Sequence, residues 1–170
     1  AAERMGADVM RWMFTKARPE ENILFGWHAA DEARRELLIL WNVYAFFVTY
    51  ARLAGWTPED GAPAAGDRPI LDRWILSRAA GTAAIVEDRL RDVDALGATR
   101  ALSSFLDGLS TWYLRLSRRR FSRSSDAADR AAAFATLHDA LVATARMLAP
   151  ILPFLSESMY GNLVAAVLPG

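Results

Sequence analysis

Apolar residues recur along this chain at three- and four-residue steps, and no segment alternates apolar with polar residues for long enough to suggest a strand. The widest stripe runs from about Ala30 to Leu53 on Ala33, Leu37, Leu40, Trp41, Tyr44, Phe47, Val48 and Ala51. Further apolar residues between these positions predict a helix touching more than one neighbour. Gly55 is its expected stop. A second stripe, Leu71, Trp74, Ile75, Ala79, Ile85, Val86 and Leu90, predicts a helix from Leu71 to about Val93. Asp94 to Thr99, with Gly97, reads as a turn. A third helix is expected from about Thr99 to Arg120 on Leu102, Phe105, Leu106, Leu109, Trp112, Tyr113 and Leu116. After a break at Ser122 to Ser125, Asp126 stands where it can cap a fourth helix built on Phe134, Leu137, Leu141, Val142, Ala145 and Leu148. Pro150 and Pro153 end that helix, and a short last one covers roughly Leu155 to Val167.

Two segments lie outside these stripes. Gly6 to about Thr15 reads as a short helix, followed by a brief extended piece at Ile23, Leu24 and Phe25. Gly55 to Pro69 is a linker dense in proline and glycine, which predicts no regular structure. The expected fold is all-α: an antiparallel bundle of four long helices plus a short C-terminal helix, with a small N-terminal helical and extended segment. Residues 1–29 are set apart from the bundle at 30–170, whose linker is 55–69. The apolar run from Leu37 to Ala51 is fifteen residues, shorter than the roughly 20 a membrane span needs, so a buried bundle helix is expected and no membrane.

Composition narrows the classes of function. The 170 residues are 53% hydrophobic and 24% charged, which is globular. Twenty basic residues balance twenty acidic ones, so any nucleic-acid contact must be a patch, not a general coat. There is no cysteine, which excludes disulfides and thiolate metal sites and fits a cytoplasmic location. The first residue is Ala and the chain opens in mid-pattern, as a piece of something longer would.

One patch stands out. From Trp112 to Arg123 the chain carries Arg115, Arg118, Arg119, Arg120 and Arg123 with no acid among them. Crowded guanidiniums repel one another, and such a strip bordered by aromatics suits an anionic partner such as a phosphate backbone. A straight helix at 100° per residue, with Trp112 at zero, puts its apolar residues between about 20° and 100°. Arg115, Arg118 and Arg119 then fall outside or at the border of that arc, and Arg120 falls inside it at about 80°. The outer three are therefore candidate contacts; Arg123, which would project inside the arc if the helix continued, is kept beside them as a candidate. Arg120 is expected to be structural and in need of a carboxylate, with Asp72 or Asp139 as its partner. Trp41, Trp74 and Trp112 are read as core, and Trp56 in the linker as the exposed ring available for stacking. A solvated cationic helix end is the plainer alternative.

Other chemistry is missing. The two histidines, His28 and His138, have no spacing for a metal, and none is expected. The acidic stretch Glu87, Asp88, Asp92 and Asp94 is interleaved with Arg89 and Arg91, as on an exposed, self-paired helix end. No glycine-rich phosphate loop or nucleophile motif occurs, and no catalytic residue is expected.

Several strings, in order and nearly end to end, carry a resemblance. Gly6-Ala7-Asp8-Val9-Met10-Arg11-Trp12 resembles the segment after the signature lysine loop of class I aminoacyl-tRNA synthetases. Leu40 to Ala51, Leu71-Asp72-Arg73-Trp74-Ile75-Leu76-Ser77-Arg78, Ser110 to Phe121, and Leu148-Ala149-Pro150 to Leu155 resemble isoleucyl-tRNA synthetases of the eukaryote-like type. The Leu-Asp-Arg-Trp and Leu-Ala-Pro strings are shared with valyl and leucyl relatives, which leaves those two as alternatives. A helical protein–protein interaction module is an alternative of another class. The resemblance implies an anticodon-binding domain that grips the anticodon stem and loop of isoleucine tRNA, preceded at 1–29 by the end of the connection from the catalytic domain. It implies a fragment of a ligase that is not itself catalytic, with ATP and Mg used only by the full-length enzyme and the catalytic and C-terminal domains of the same polypeptide as partners. Ser122, Leu116 and Leu24 depart from the family's usual residues, each removing a potential RNA contact.

Overall fold

A computed structural model describes residues 2–18, 20–21, 25–122 and 126–165. All the regular structure among the described residues is helical, with no strand. Two short helices open the chain, α1 (Ala2–Met5) and α2 (Ala7–Thr15). The extended piece expected at Ile23 and Leu24 falls outside the described residues. Next come α3 (Trp27–Ala54) and α4 (Ile70–Arg91). Gly55 ends α3 in the left-handed region at φ 65°, where a Cβ would be strained. The 55–69 linker is less irregular than its composition suggests. It holds two 3₁₀ turns, Pro58–Asp60 and Ala65–Asp67, the first closed by a reciprocal Thr57–Asp60 capping box.

The third long element is where the count of four regular helices fails. It begins four residues early, at Ala95, because Asp94 is an N-cap and not part of a turn: its carboxylate accepts from the Gly97 amide at 2.7 Å. A Cβ at Gly97 would collide with that carboxylate. Four pieces then run on end to end: α5 (Ala95–Asp107), a π-helical stretch Gly108–Leu114, the single turn α6 (Arg115–Ser117), and a 3₁₀ turn Arg118–Phe121. The hydroxyls of Ser110 and Thr111 both donate to the Asp107 carbonyl, at 3.2 and 2.7 Å, where the ladder widens. The wide turns keep Phe105, Leu109, Tyr113, Ser117 and Phe121, each four residues apart, all buried. In an unbroken α-helix Phe121 would have rotated about 160° away from Phe105.

The last long helix, α7 (Ala127–Leu148), is capped by Asp126, whose carboxylate accepts from the Asp129 amide at 2.9 Å. It is followed by α8 (Pro153–Tyr160), which opens on proline and continues as a π turn, Gly161–Ala165. Helix α4 packs on α5 and α7, α7 on α8, and α3 on α2, α5 and α7. Trp12, Phe105, Leu109, Tyr113, Phe134, Leu137, Leu141 and Leu148 are shut away from solvent in one continuous core.

Helix α2 is stitched into that core. The Trp12 indole is fully buried and donates to Glu36 of α3 at 2.9 Å. Asp8 accepts from the Leu155 amide in the first turn of α8 at 2.6 Å, while Arg11 donates to the carbonyls of Ile151 and Pro150 at 2.6 and 3.1 Å. One short helix thus places a carboxylate at the positive end of α8 and a guanidinium at the negative end of α7. Helix α3, at 28 residues, is long and apolar enough by length and composition to cross a membrane. In this fold its inner side, including Leu37, Leu40, Val43 and Phe47, is buried. Trp41 on its outer side is 43% exposed, contrary to its reading as core.

Candidate nucleic-acid interface

The π stretch decides which side chains of the arginine-rich run face out. Along the four-residue register set by Leu109, Tyr113 and Ser117, Arg115 and Arg119 point away from the bundle. Arg118 turns toward α3, where its guanidinium lies 5.4 Å from the centre of the Phe46 ring. Arg115, Arg118 and Arg119 are all exposed, and none of the three makes an ion pair among the described residues. Arg123 lies outside the described residues.

Trp112 and Leu116 share the flank nearer α4. Both were expected inward, and both are 52% exposed. The correction follows from the phase change: widened turns advance less than 100° per residue, so positions past Gly108 drift off the straight-helix projection. Trp112 therefore stands beside the arginines as an open aromatic surface.

Trp56 differs from its reading as an exposed ring: it is only partly exposed, stacks on Phe134 at 5.7 Å and 17°, and meets Phe47 edge-on at 5.7 Å. The chain leaving α3 folds back over the bundle, with the Trp56 amide bonded to the Ala51 carbonyl at 2.9 Å, and this presses the indole against the core.

Arg120 is held inside. Its two Nη groups donate to the two oxygens of Asp72 at 2.6 and 2.8 Å, and its Nε donates to Asp129 at 2.9 Å. Asp72 is wholly buried and also accepts from the Tyr113 hydroxyl at 3.1 Å. Burial, then the neighbouring Asp72 charge, holds the Tyr113 phenol protonated far above its ordinary range. Burial alone would lower the Arg120 pKa, but bonds to Asp72 and Asp129 outweigh it and raise the value further. Asp139 is not part of this network. It pairs with Arg68 at 2.8 Å and lies 3.7 Å from a nitrogen of His138. Its pKa is lowered: burial pushes it up, and the bonds from His138 and Arg68 pull it down by more. Asp129, in the first turn of α7, is the partner that sequence reasoning missed.

No group of three or more metal-ligating side chains occurs among the described residues. What the geometry displays is a ridge of free guanidiniums next to an open indole, on a rigid all-helical support in a chain of zero net charge. That is an all-helical module with an exposed cationic surface, of a kind that suits anionic partners. The chain belongs to the family described as the anticodon-binding domain of tRNA ligase, whose model matches residues 72–167. Over almost its whole length it is similar to isoleucine–tRNA ligases. It is 44% identical over 168 residues to that of Thermus thermophilus, 43% over 164 residues to that of Deinococcus radiodurans, and 42% over 167 residues to that of Dehalococcoides mccartyi strain CBDB1. Between 95% and 97% of this chain is covered in these comparisons, but only 15% or 16% of each relative. The chain thus spans about a sixth of the length of these curated relatives.

Proposed function

We propose that this domain binds the anticodon stem and loop of isoleucine tRNA and so supports aminoacylation carried out elsewhere in the full-length enzyme, which is of the eukaryote-like type. The observation that carries the reading is the ridge of Arg115, Arg118 and Arg119, exposed and unpaired beside Trp112 in an otherwise charge-balanced chain. Guanidiniums placed this way hold phosphates and fix the register of the RNA without reading its sequence. Splayed loop bases are read by stacking and along their edges, and the half-exposed Trp112 ring supplies a stacking face. Arg123 continues the cationic run in sequence. The proposal keeps residues 1–29 as the end of the connection from the catalytic domain, leaves ATP and Mg to that domain, and places the protein in the cytoplasm, where tRNA is charged.

The test is a titration of an isoleucine-tRNA anticodon stem-loop against the full-length enzyme, followed by competition with intact tRNA. Binding that Arg118→Ala or Arg119→Ala weakens, with amino-acid activation intact, supports the reading. Wild-type binding by both variants contradicts the arginine assignment.

A further inference from the structure

A second open feature lies along the neighbouring helix pair. A groove of about 320 Å³ runs between α4 and α5, lined by Trp74, Ser77, Arg78, Thr82, Ile85 and Ser104 among others. That volume is at the low end of the range for small-ligand sites, roughly 300–1,000 Å³. None of its lining residues is acidic. The Arg78 guanidinium is exposed, lies 6.0 Å from the centre of the Trp74 ring, and makes no ion pair among the described residues. Its one hydrogen bond is long, 3.4 Å to the Ser104 hydroxyl. The carboxylates of α4 are engaged elsewhere: Asp72 with Arg120, and Glu87 and Asp88 with Arg91. The π stretch begins beside the groove. Gly108, where the π stretch begins, packs against Trp74 and Arg78, and Trp112 and Leu116 follow on the same four-residue register.

We propose that this groove is a second contact for the bound RNA, with Arg78 holding one backbone phosphate and Trp74 packing against the adjoining sugar or base. The proposal rests on the reading of the ridge as a tRNA surface. A guanidinium already resting over an indole is oriented for a planar, bidentate grip on phosphate, and the hydroxyls of Ser77 and Ser104 stand ready to donate to its remaining oxygens. The charge fits RNA: a solvent-exposed cation with no ion pair among the described residues, in a groove whose lining holds no acid.

The experiment is phosphate footprinting of isoleucine tRNA on the full-length enzyme, with affinity measured across a salt series. For Arg78→Ala we expect about tenfold weaker binding and a salt slope shallower by about 0.7 to 0.9. We also expect loss of protection at a phosphate distinct from those exposed by Arg118→Ala. Arg78→Lys should keep the slope while losing part of the affinity. Thermal melting of each variant must match wild type, and Arg78→Gln, which keeps the stem on Trp74, replaces Arg78→Ala if it does not. An unchanged footprint, slope and affinity in the Arg78 variants, with Arg118→Ala still weakening binding, overturns the groove proposal alone. If the Arg118 and Arg119 variants also bind normally, the reading of the ridge falls with it.

Discussion

Asp72 and Arg120, 48 residues apart in the chain, meet through two parallel hydrogen bonds of 2.6 and 2.8 Å, with the carboxylate fully buried. The pair ties the first turn of α4 to the end of the arginine-rich run, and Asp129 adds the first turn of α7. It anchors one arginine so that its neighbours in sequence are held outward.

Removing the buried charge should therefore be costly. Asp72→Asn takes from the partly buried Arg120 the carboxylate that its two Nη groups grip, and we expect a loss of about 3–5 kcal/mol in urea unfolding. Tyr113→Phe removes only the neutral donor and should cost about 1 kcal/mol. A loss below about 1 kcal/mol for Asp72→Asn would show that the pair is not structural.

The α2 clamp offers a milder test. Asp8→Ala leaves the Leu155 amide without its acceptor at the head of α8, and a loss of about 1 kcal/mol is expected, as for other helix caps. Asp8→Asn should retain part of this. Amide exchange localises the effect: faster exchange at Leu155 and the next turn of α8, with α4 unchanged.

Acid should loosen the contact between α2 and α3. Burial raises the pKa of Glu36, but bonds from Lys16 and Trp12 bring it below its ordinary value. A carboxylate whose folded-state pKa is depressed stabilises the fold fully above its unfolded pKa, about 4.3 for Glu, and loses that contribution as pH falls through the lower folded value. Asp139, held down by His138 and Arg68, acts in the same direction. Glu36→Gln should make the melting temperature fall less steeply between about pH 5 and 3. An equally steep fall would remove Glu36 as a contributor.

Between α4 and α5 the backbone carries a strained residue. Val93 has φ 60° and is 89% exposed, so it is unfavourable for a β-branched side chain and buries nothing in return. Val93→Gly should stabilise the protein by about 1 kcal/mol and raise the melting temperature by about 2–4 °C. A drop would show that the turn relies on the side chain.

These features differ in how far they could be read from the string. The stripes of α3, α4 and α7 are legible because each holds one pitch, so Leu37, Leu40 and Phe47, or Phe134, Leu137 and Leu141, recur on one face. The third element could not be read to its end by the same rule. Its pitch widens at Gly108, and every projection beyond that point inherits the error, which is why Trp112 and Leu116 are exposed. Nothing in Gly108 to Leu114 announces a π stretch, since the hydroxyls of Ser110 and Thr111 that support it are equally at home on an ordinary helix surface. Trp56 misleads for another reason: linker composition describes the backbone, and says nothing about whether a ring folds back onto Phe134. The arginine run itself is plain in the sequence, whereas the partner set of Arg120 depends on the arrival of α4 and α7 from distant parts of the chain.

The central claim is that Arg115, Arg118 and Arg119 hold phosphates of a tRNA. The most direct measurement is the affinity of the full-length enzyme for isoleucine tRNA over a salt series, wild type against the triple alanine variant. The account predicts a slope of log K on log salt shallower by about 2 to 3, three lost contacts at about 0.7 to 0.9 each, with amino-acid activation unchanged. An unaltered slope in a correctly folded variant would contradict it.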